Sequence, residues 1–186
     1  MGCRLPTLVV VSGPPGAGKT TLAHAIARAV GCPAICRDEI KEGMVHARPD
    51  VVPEPGPRDE LGVRTLPTFF GVLSLLLRAG VTTVAEAAFQ DRLWRPGLAP
   101  LRDFARIRIV HCVVAADVAR ARVRRRWDDS PLRRAHGGSS LVDPVAYALG
   151  HNGFDRVSVD VPWIEVDTTD GYEPGLDRVV AFIDSN

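Results

Sequence analysis

Gly13-Pro14-Pro15-Gly16-Ala17-Gly18-Lys19-Thr20 is the stretch on which the reading of this chain turns. It has the spacing of a Gly, four free positions, then Gly-Lys-Thr, in which backbone N–H groups turn inward around an anion. Gly16 and Gly18 allow the backbone angles and the close approach that a side chain blocks. The Lys19 ammonium can then reach the outer phosphates of a ligand as a point charge, while the Thr20 hydroxyl is placed to hold Mg²⁺. Upstream, Thr7–Ser12 encloses an unbroken apolar run of strand length, as a parallel strand covered on both faces requires. Downstream, Thr21–Val30 has helical spacing and Gly31 sits where a helix stops. That helix directs the positive end of its dipole at the loop. Strand, glycine loop and helix in this order predict a nucleoside-triphosphate site contributed by Gly13 through Thr21.

The surroundings of the octet are those of an ordinary globular chain. Its 186 residues suffice for one domain with a core, and no repeat or linker divides them, so a single domain over 1–186 is expected. A net charge of +1 excludes a general attraction to nucleic acid or anionic lipid. Lys19 and Lys41 are the only lysines among 23 basic residues, so a lysine in the loop stands out. Cys3, Cys32, Cys36 and Cys112 make no Cys-x-x-Cys pair and the five histidines show no ligand spacing. Reduced thiols and no metal beyond nucleotide-associated Mg²⁺ are therefore expected. No basic-then-apolar leader opens the sequence, and the apolar stretch Phe69–Leu77 is too short to cross a bilayer. A cytoplasmic protein without a membrane partner is the expectation; monomer and homodimer both stay open.

Four more strand-like runs follow, at Pro33–Cys36, Val81–Ala85, Ile107–Val114 and Trp163–Val166. Helical spacing separates them at Asp38–Val45, Leu61–Arg78, Leu98–Ala105, Asp117–Trp127, Pro144–Leu149 and Leu176–Ile183. Such alternation predicts an α/β fold, a parallel sheet with helices on both faces. The four prolines between Arg48 and Asp59 predict an irregular excursion there.

In open parallel sheets, ligands sit beyond the carboxyl ends of the strands, which singles out the residues just after each run. Arg37-Asp38-Glu39 follows the second strand. Asp38 has two readings, a base that takes a proton from an acceptor hydroxyl or a cap on the following helix. Arg37 reads as a clamp on phosphate or substrate, or as a solvated arginine. Glu86 ends the third strand and suits a contact to Mg²⁺ beside Thr20. Phe89, Asp91 and Arg92 follow, as substrate contacts or surface groups. Residues 117–127 form a helix that grows basic, with Arg122 and Arg126 on one face, and the turn-rich tract after it carries Arg133. This region, roughly 120–143, reads as an arginine-rich lid that closes over phosphates, or as a solvated basic face or nucleic-acid patch.

With these residues placed, the chain resembles the small P-loop kinases, a group that includes polynucleotide 5′-kinases, gluconate kinases, zeta toxins and chloramphenicol phosphotransferase. Cys36-Arg-Asp-Glu-Ile-Lys41 looks like the Arg-Asp stretch of the polynucleotide kinases, which implies that Asp38 is the base. Arg122 and Arg126 match the paired lid arginines, and Glu86 stands where the third strand more often ends in Asp. Trp163–Thr169 resembles the last strand, after which the chain commonly runs beside the adenine. The resemblance implies a five-stranded sheet of order 2-3-1-4-5, ATP and Mg²⁺ as cofactors, and catalysis by Lys19, Asp38, Arg122 and Arg126. Arg37, Asp38, Glu86, Phe89, Arg92 and Arg133 would face the substrate. The γ-phosphate would go to a hydroxyl, and apolar residues such as Val45, Leu66, Phe69, Phe70 and Leu73 suit a compact alcohol, if they are not simply core. A polynucleotide 5′-hydroxyl is the alternative acceptor. A nucleotide-dependent switch with no acceptor is a further one.

Overall fold

The computed structural model describes residues 5–47, 60–129 and 153–185. The proline-rich excursion, Arg133 with most of the expected lid, and the helix expected at Pro144–Leu149 lie outside the described residues. Five strands, β1 (Thr7–Ser12), β2 (Ala34–Cys36), β3 (Thr83–Glu86), β4 (Arg106–Val113) and β5 (Trp163–Asp167), form one sheet of order β2-β3-β1-β4-β5. Every pairing is parallel. This is the order that the resemblance implied.

Six helices accompany the sheet among the described residues: α1 (Lys19–Val30), α2 (Arg37–Ala47), α3 (Glu60–Arg78), α4 (Asp91–Leu98), α5 (Ala116–Asp129) and α6 (Leu176–Asp184). β1 is central and all six of its residues are buried. Its alternation divides the core, because successive strand side chains point to opposite faces. Leu8 and Val10 join Phe69, Leu73 and Leu77 of α3 and Trp94 and Leu98 of α4 on one side. Val9 and Val11 join Leu22, Ala23 and Ile26 of α1 and Val179 and Ile183 of α6 on the other. Each large apolar side chain taken out of water there contributes roughly 1.5–3 kcal/mol. Burial of this kind, more than helix propensity, is what holds α1 and α3 to the sheet.

Two expectations need correcting. The helix expected at Leu98–Ala105 is instead α4 at Asp91–Leu98, continued by a short 3₁₀ turn at Ala99–Leu101. Pro96 and Gly97 disguise it in the sequence, yet Trp94, Leu98 and Leu101 are buried along one face. Gly97 has a packing reason, since a Cβ there would run into the ring of Phe70. The second concerns α3: by length and composition, Leu61–Arg78 is long and apolar enough to cross a membrane, although the shorter stretch Phe69–Leu77 was not. In this fold α3 turns Phe69, Leu73 and Leu77 onto the sheet, while most of its other residues are not buried.

Register fixes where the chemistry can occur. Cys36 lies level with Glu86, Glu86 with Val11, Ser12 with His111, and Val113 with Asp167. All five strands therefore end at one edge, and the loops that follow them open there.

Candidate active site

The loop between β1 and α1 is made by backbone requirements. Gly13, Gly16 and Gly18 have φ of 135°, 84° and 66°, in the region that disfavours side chains. A Cβ on Gly13 would run into the Cys112 carbonyl, and one on Gly16 into the Ala119 carbonyl. Gly18 has no neighbour closer than 3.9 Å to that position, so its angle alone requires glycine. Pro15 is exposed at the tip while Gly13, Pro14, Gly16 and Ala17 are buried. The Ala17 amide donates to the Pro14 carbonyl at 3.2 Å, closing the turn. From the far side of the sheet, the Thr168 hydroxyl reaches the Ala17 carbonyl at 2.9 Å and the Val113 carbonyl at 3.2 Å. Thr168 is thus a strut that ties the loop to the ends of β4 and β5. Sequence reading placed it only as a residue after a strand.

Lys19 is the first residue of α1 and is only 6% exposed. Its ammonium donates to the Pro14 carbonyl at 2.8 Å and stands 3.9 Å from Glu86 Oε1. Thr20 donates through its hydroxyl to Glu86 Oε2 at 3.0 Å. Glu86, the last residue of β3, is 4% exposed. Burial pushes its pKa up; Lys19 and Thr20 pull it back, and the nearby carboxylates of Asp38 and Glu39 push it further up. Lysine, hydroxyl and carboxylate thus converge at the mouth of the loop, where two of the three were expected to share a metal.

On the β2–β3 side, α2 begins directly at Arg37, so Asp38 stands in the first helical turn and not at a cap position. An acid there favours the helix through its dipole. Asp38 accepts a hydrogen bond from Arg37 Nη1 at 3.0 Å, and its side chain is 55% exposed. The Arg37 guanidinium lies 6.0 Å over the ring of Phe89. Phe89 is buried, with ring contacts to Phe69, Phe70 and Trp94 at centroid distances of 5.7, 6.3 and 5.3 Å. It therefore supports Arg37 from below as part of the core. Asp91 clamps the chain before β5, accepting from the Ser158 amide at 2.7 Å and the Ser158 hydroxyl at 2.6 Å. Arg92 is exposed and donates to Gln90 at 3.0 Å.

On the opposite side, Arg122 Nη2 donates to the carbonyls of Thr168 and Thr169 at 2.8 and 2.9 Å. Arg122 and Arg126 line a cleft of about 420 Å³ together with Gly18, Thr20, Thr21 and Thr168. Arg125, one of the arginines of the basic helix expected at 117–127, and Tyr172, which the sequence did not single out, also line it. Tyr172 follows the last strand, where a chain running beside a ligand was the only hint.

A glycine-enforced anion loop after the central strand, with a lysine, a threonine and a strand-end acid around it, on a parallel sheet of order 2-3-1-4-5, defines the P-loop NTPase fold of the kinase type. The chain belongs to the protein family described as AAA domain, whose profile matches residues 8–137. Among solved structures, a candidate kinase of Chloroflexus aurantiacus is similar with a TM-score of 0.82 and 23% identity, over 97% of both chains. A sugar kinase from a Janibacter species has a TM-score of 0.67 and 22% identity, covering 96% of this chain and 95% of its own. A gluconokinase of Sinorhizobium meliloti has 0.56 and 17%, covering 97% and 90%. At these identities the likeness is one of fold. No curated protein matches the chain.

Proposed function

We propose that the chain is an ATP- and Mg²⁺-dependent phosphotransferase that acts on a hydroxyl of a small organic molecule, of the nucleoside, antibiotic or sugar-like class. The observation that carries this reading is the meeting of Lys19 and Thr20 at Glu86, 3.9 and 3.0 Å away, within the electrostatic reach of Asp38. The site fits both groups: the cradle excludes a Cβ at Gly13 and Gly16, and a hydroxyl with a carboxylate is the hard oxygen set that Mg²⁺ prefers. When bound, Mg²⁺-ATP supplies the transferable phosphoryl group with part of its charge neutralised.

The chain's residues divide the remaining work. Loop amides of Gly13 to Thr21 and the Lys19 ammonium bind phosphate oxygens, and Thr20 and Glu86 would hold the metal. Burial of Glu86 disfavours its charge until a cation arrives, which couples the two binding events. Asp38 takes the proton of the acceptor hydroxyl, with Arg37 holding its carboxylate in place from above Phe89. Arg122, anchored on Thr168 and Thr169, and Arg126 face the phosphates from the cleft. Arg92 borders the acceptor side, whereas Phe89, expected to touch substrate, is buried and acts through Arg37.

Similarity in fold to a sugar kinase and a gluconokinase supports a compact alcohol. A polynucleotide 5′-hydroxyl is the second reading, favoured by the row Arg122, Arg125 and Arg126 on one cleft wall. The test is ATP consumption with mass detection of an added phosphate across nucleosides, sugars, hydroxylated antibiotics and 5′-hydroxyl oligonucleotides. One small alcohol gaining a single phosphate is the expected result. Phosphate gained only by oligonucleotides would install the second reading, and hydrolysis with no modified acceptor would overturn both in favour of a nucleotide-dependent switch.

A further inference from the structure

The fold brings together three side chains that have no ligand spacing in the sequence. His24 lies one turn beyond Thr20 on α1, Cys36 ends β2, and Glu39 stands in the first turn of α2. His24 Nε2 and Glu39 Oε1 are 2.7 Å apart, and Cys36 Sγ lies 3.8 Å from the same nitrogen. All three donor atoms fall within 4.8 Å of one another. Around zinc, bonds of about 2.3 Å to sulfur and about 2.0 Å to nitrogen or oxygen place tetrahedral ligands roughly 3.3–3.6 Å apart. The sulfur–nitrogen separation is close to that already. The nitrogen–oxygen pair would open by roughly 0.6 Å as an ion replaces the shared proton.

Taken separately, the groups have plain roles: an exposed His–Glu pair is worth little, and a buried thiol behaves as a small hydrophobe. Their surroundings say more. Glu39 and Glu86 flank the Cys36 thiol, and Asp38 and Glu39 both act on Glu86, against Lys19 as the balancing cation. His24 and Glu39 are 40% and 48% exposed, which leaves an entry path, while Cys36 at 1% closes the inner side.

We propose that His24, Cys36 and Glu39 form a zinc(II) site with three protein ligands and one open position, at the junction of α1, β2 and α2 beside the phosphate loop. Nitrogen and sulfur donors select a borderline-soft ion such as zinc over Mg²⁺, which keeps to oxygen. On binding, Cys36 ligates as thiolate and its proton leaves to solvent, while His24 ligates through Nε2 as neutral imidazole. The ion would tie α1 to the start of α2, at the residue next to Asp38. The assignment rests on this geometry and not on the phosphotransfer reading.

The test is zinc titration of the full chain against a chromophoric chelator, with cobalt(II) as a spectroscopic substitute. One zinc per chain is expected, not displaced by excess Mg²⁺, with a thiolate-to-cobalt absorption band. His24→Gln and Glu39→Gln sit at half-exposed positions and should each weaken zinc by at least about tenfold, since losing even an outer-shell partner costs that much. Cys36→Ser should remove the cobalt band, and Cys32→Ser should change nothing. Zinc affinity unaltered in His24→Gln or Glu39→Gln, a cobalt band that survives Cys36→Ser, or no binding at micromolar zinc would each overturn the assignment.

Discussion

The two walls of the cleft are built on different principles. On the wall proposed to hold phosphate, Gly13, Lys19, Glu86 and Thr168 are buried, and Lys19, Glu86 and Thr168 are held by hydrogen bonds to Pro14, Thr20 and Ala17. Much of that wall is backbone, whose shape Gly16 and Gly18 enforce through positive φ. The acceptor wall is made of side chains: Asp38 is half exposed, Arg37 leans on Phe89, and Phe89 is held by an aromatic cluster from α3 and α4. A backbone cradle tolerates almost no change, whereas a wall of side chains can be altered residue by residue. Phosphate binding in such a fold should therefore be robust, and the choice of acceptor open to variation.

The sharpest way to break this contrast is at the backbone. Gly16→Ala combines a φ of 84° with a collision at the Ala119 carbonyl, and should abolish nucleotide binding and lower stability by several kcal/mol. Gly18→Ala meets no such collision and should cost only about 1–2 kcal/mol, the price of the left-handed conformation. Calorimetric titration with ATP and thermal unfolding separate the two. Equal effects would mean that the close approach at Gly16 does not matter.

Next in size is the acceptor wall. Asp38→Asn should lower turnover by about 10²–10⁴ while leaving ATP affinity within about twofold, because general-base catalysis is worth that much and Asp38 lies outside the cradle. Full turnover in this variant would remove the base assignment. Glu86→Gln tests the corner where the walls meet. Its raised pKa means that the folded state favours the protonated form, so the carboxylate's penalty is absent below the ordinary Glu range and grows as pH rises. The variant should melt higher than the wild type at pH 8 and equally near pH 4, in nucleotide-free protein. It should also bind Mg²⁺-ATP more weakly. A lower melting temperature at pH 8 would show that the contacts to Lys19 and Thr20 outweigh the burial.

The smallest effect belongs to a residue that lies on neither wall. Asp91 accepts two bonds from Ser158, and those bonds hold its pKa below the usual carboxylate range. Asp91→Ala should cost about 1 kcal/mol, given the exposure of the pair, and leave turnover unchanged. The stability it loses should be fully present at neutral pH and fade as pH falls through the depressed pKa. A fall in turnover would make the segment before β5 part of the catalytic machinery.

Residues 7–31 were legible because everything they need is local: an apolar run, glycines where φ is positive, and a lysine beside a threonine. The strand-end rule also reaches Asp38 and Glu86 from the sequence, since it depends only on the alternation of strands and helices. α4 was not legible, because Pro96 and Gly97 break its helical signal and only contact with Phe70 explains the glycine. Thr168 and Arg125 were legible only as a residue after a strand and as one arginine of a basic helix, and Tyr172 only as part of the chain after the last strand. Their roles come from the pairing of β4 with β5 and from where α5 lies over the loop.

By itself, then, the sequence determined the phosphate loop, the class of sheet and the identity of the acids at its edge. Those follow from backbone geometry and periodicity, which act over a few residues. Only the tertiary structure decided that Thr20 meets Glu86 across 66 residues, that Phe89 props Arg37, and that His24, Cys36 and Glu39 share one corner. Side chains that are far apart in the chain meet through strand register and helix packing, and no spacing along the sequence encodes that distance.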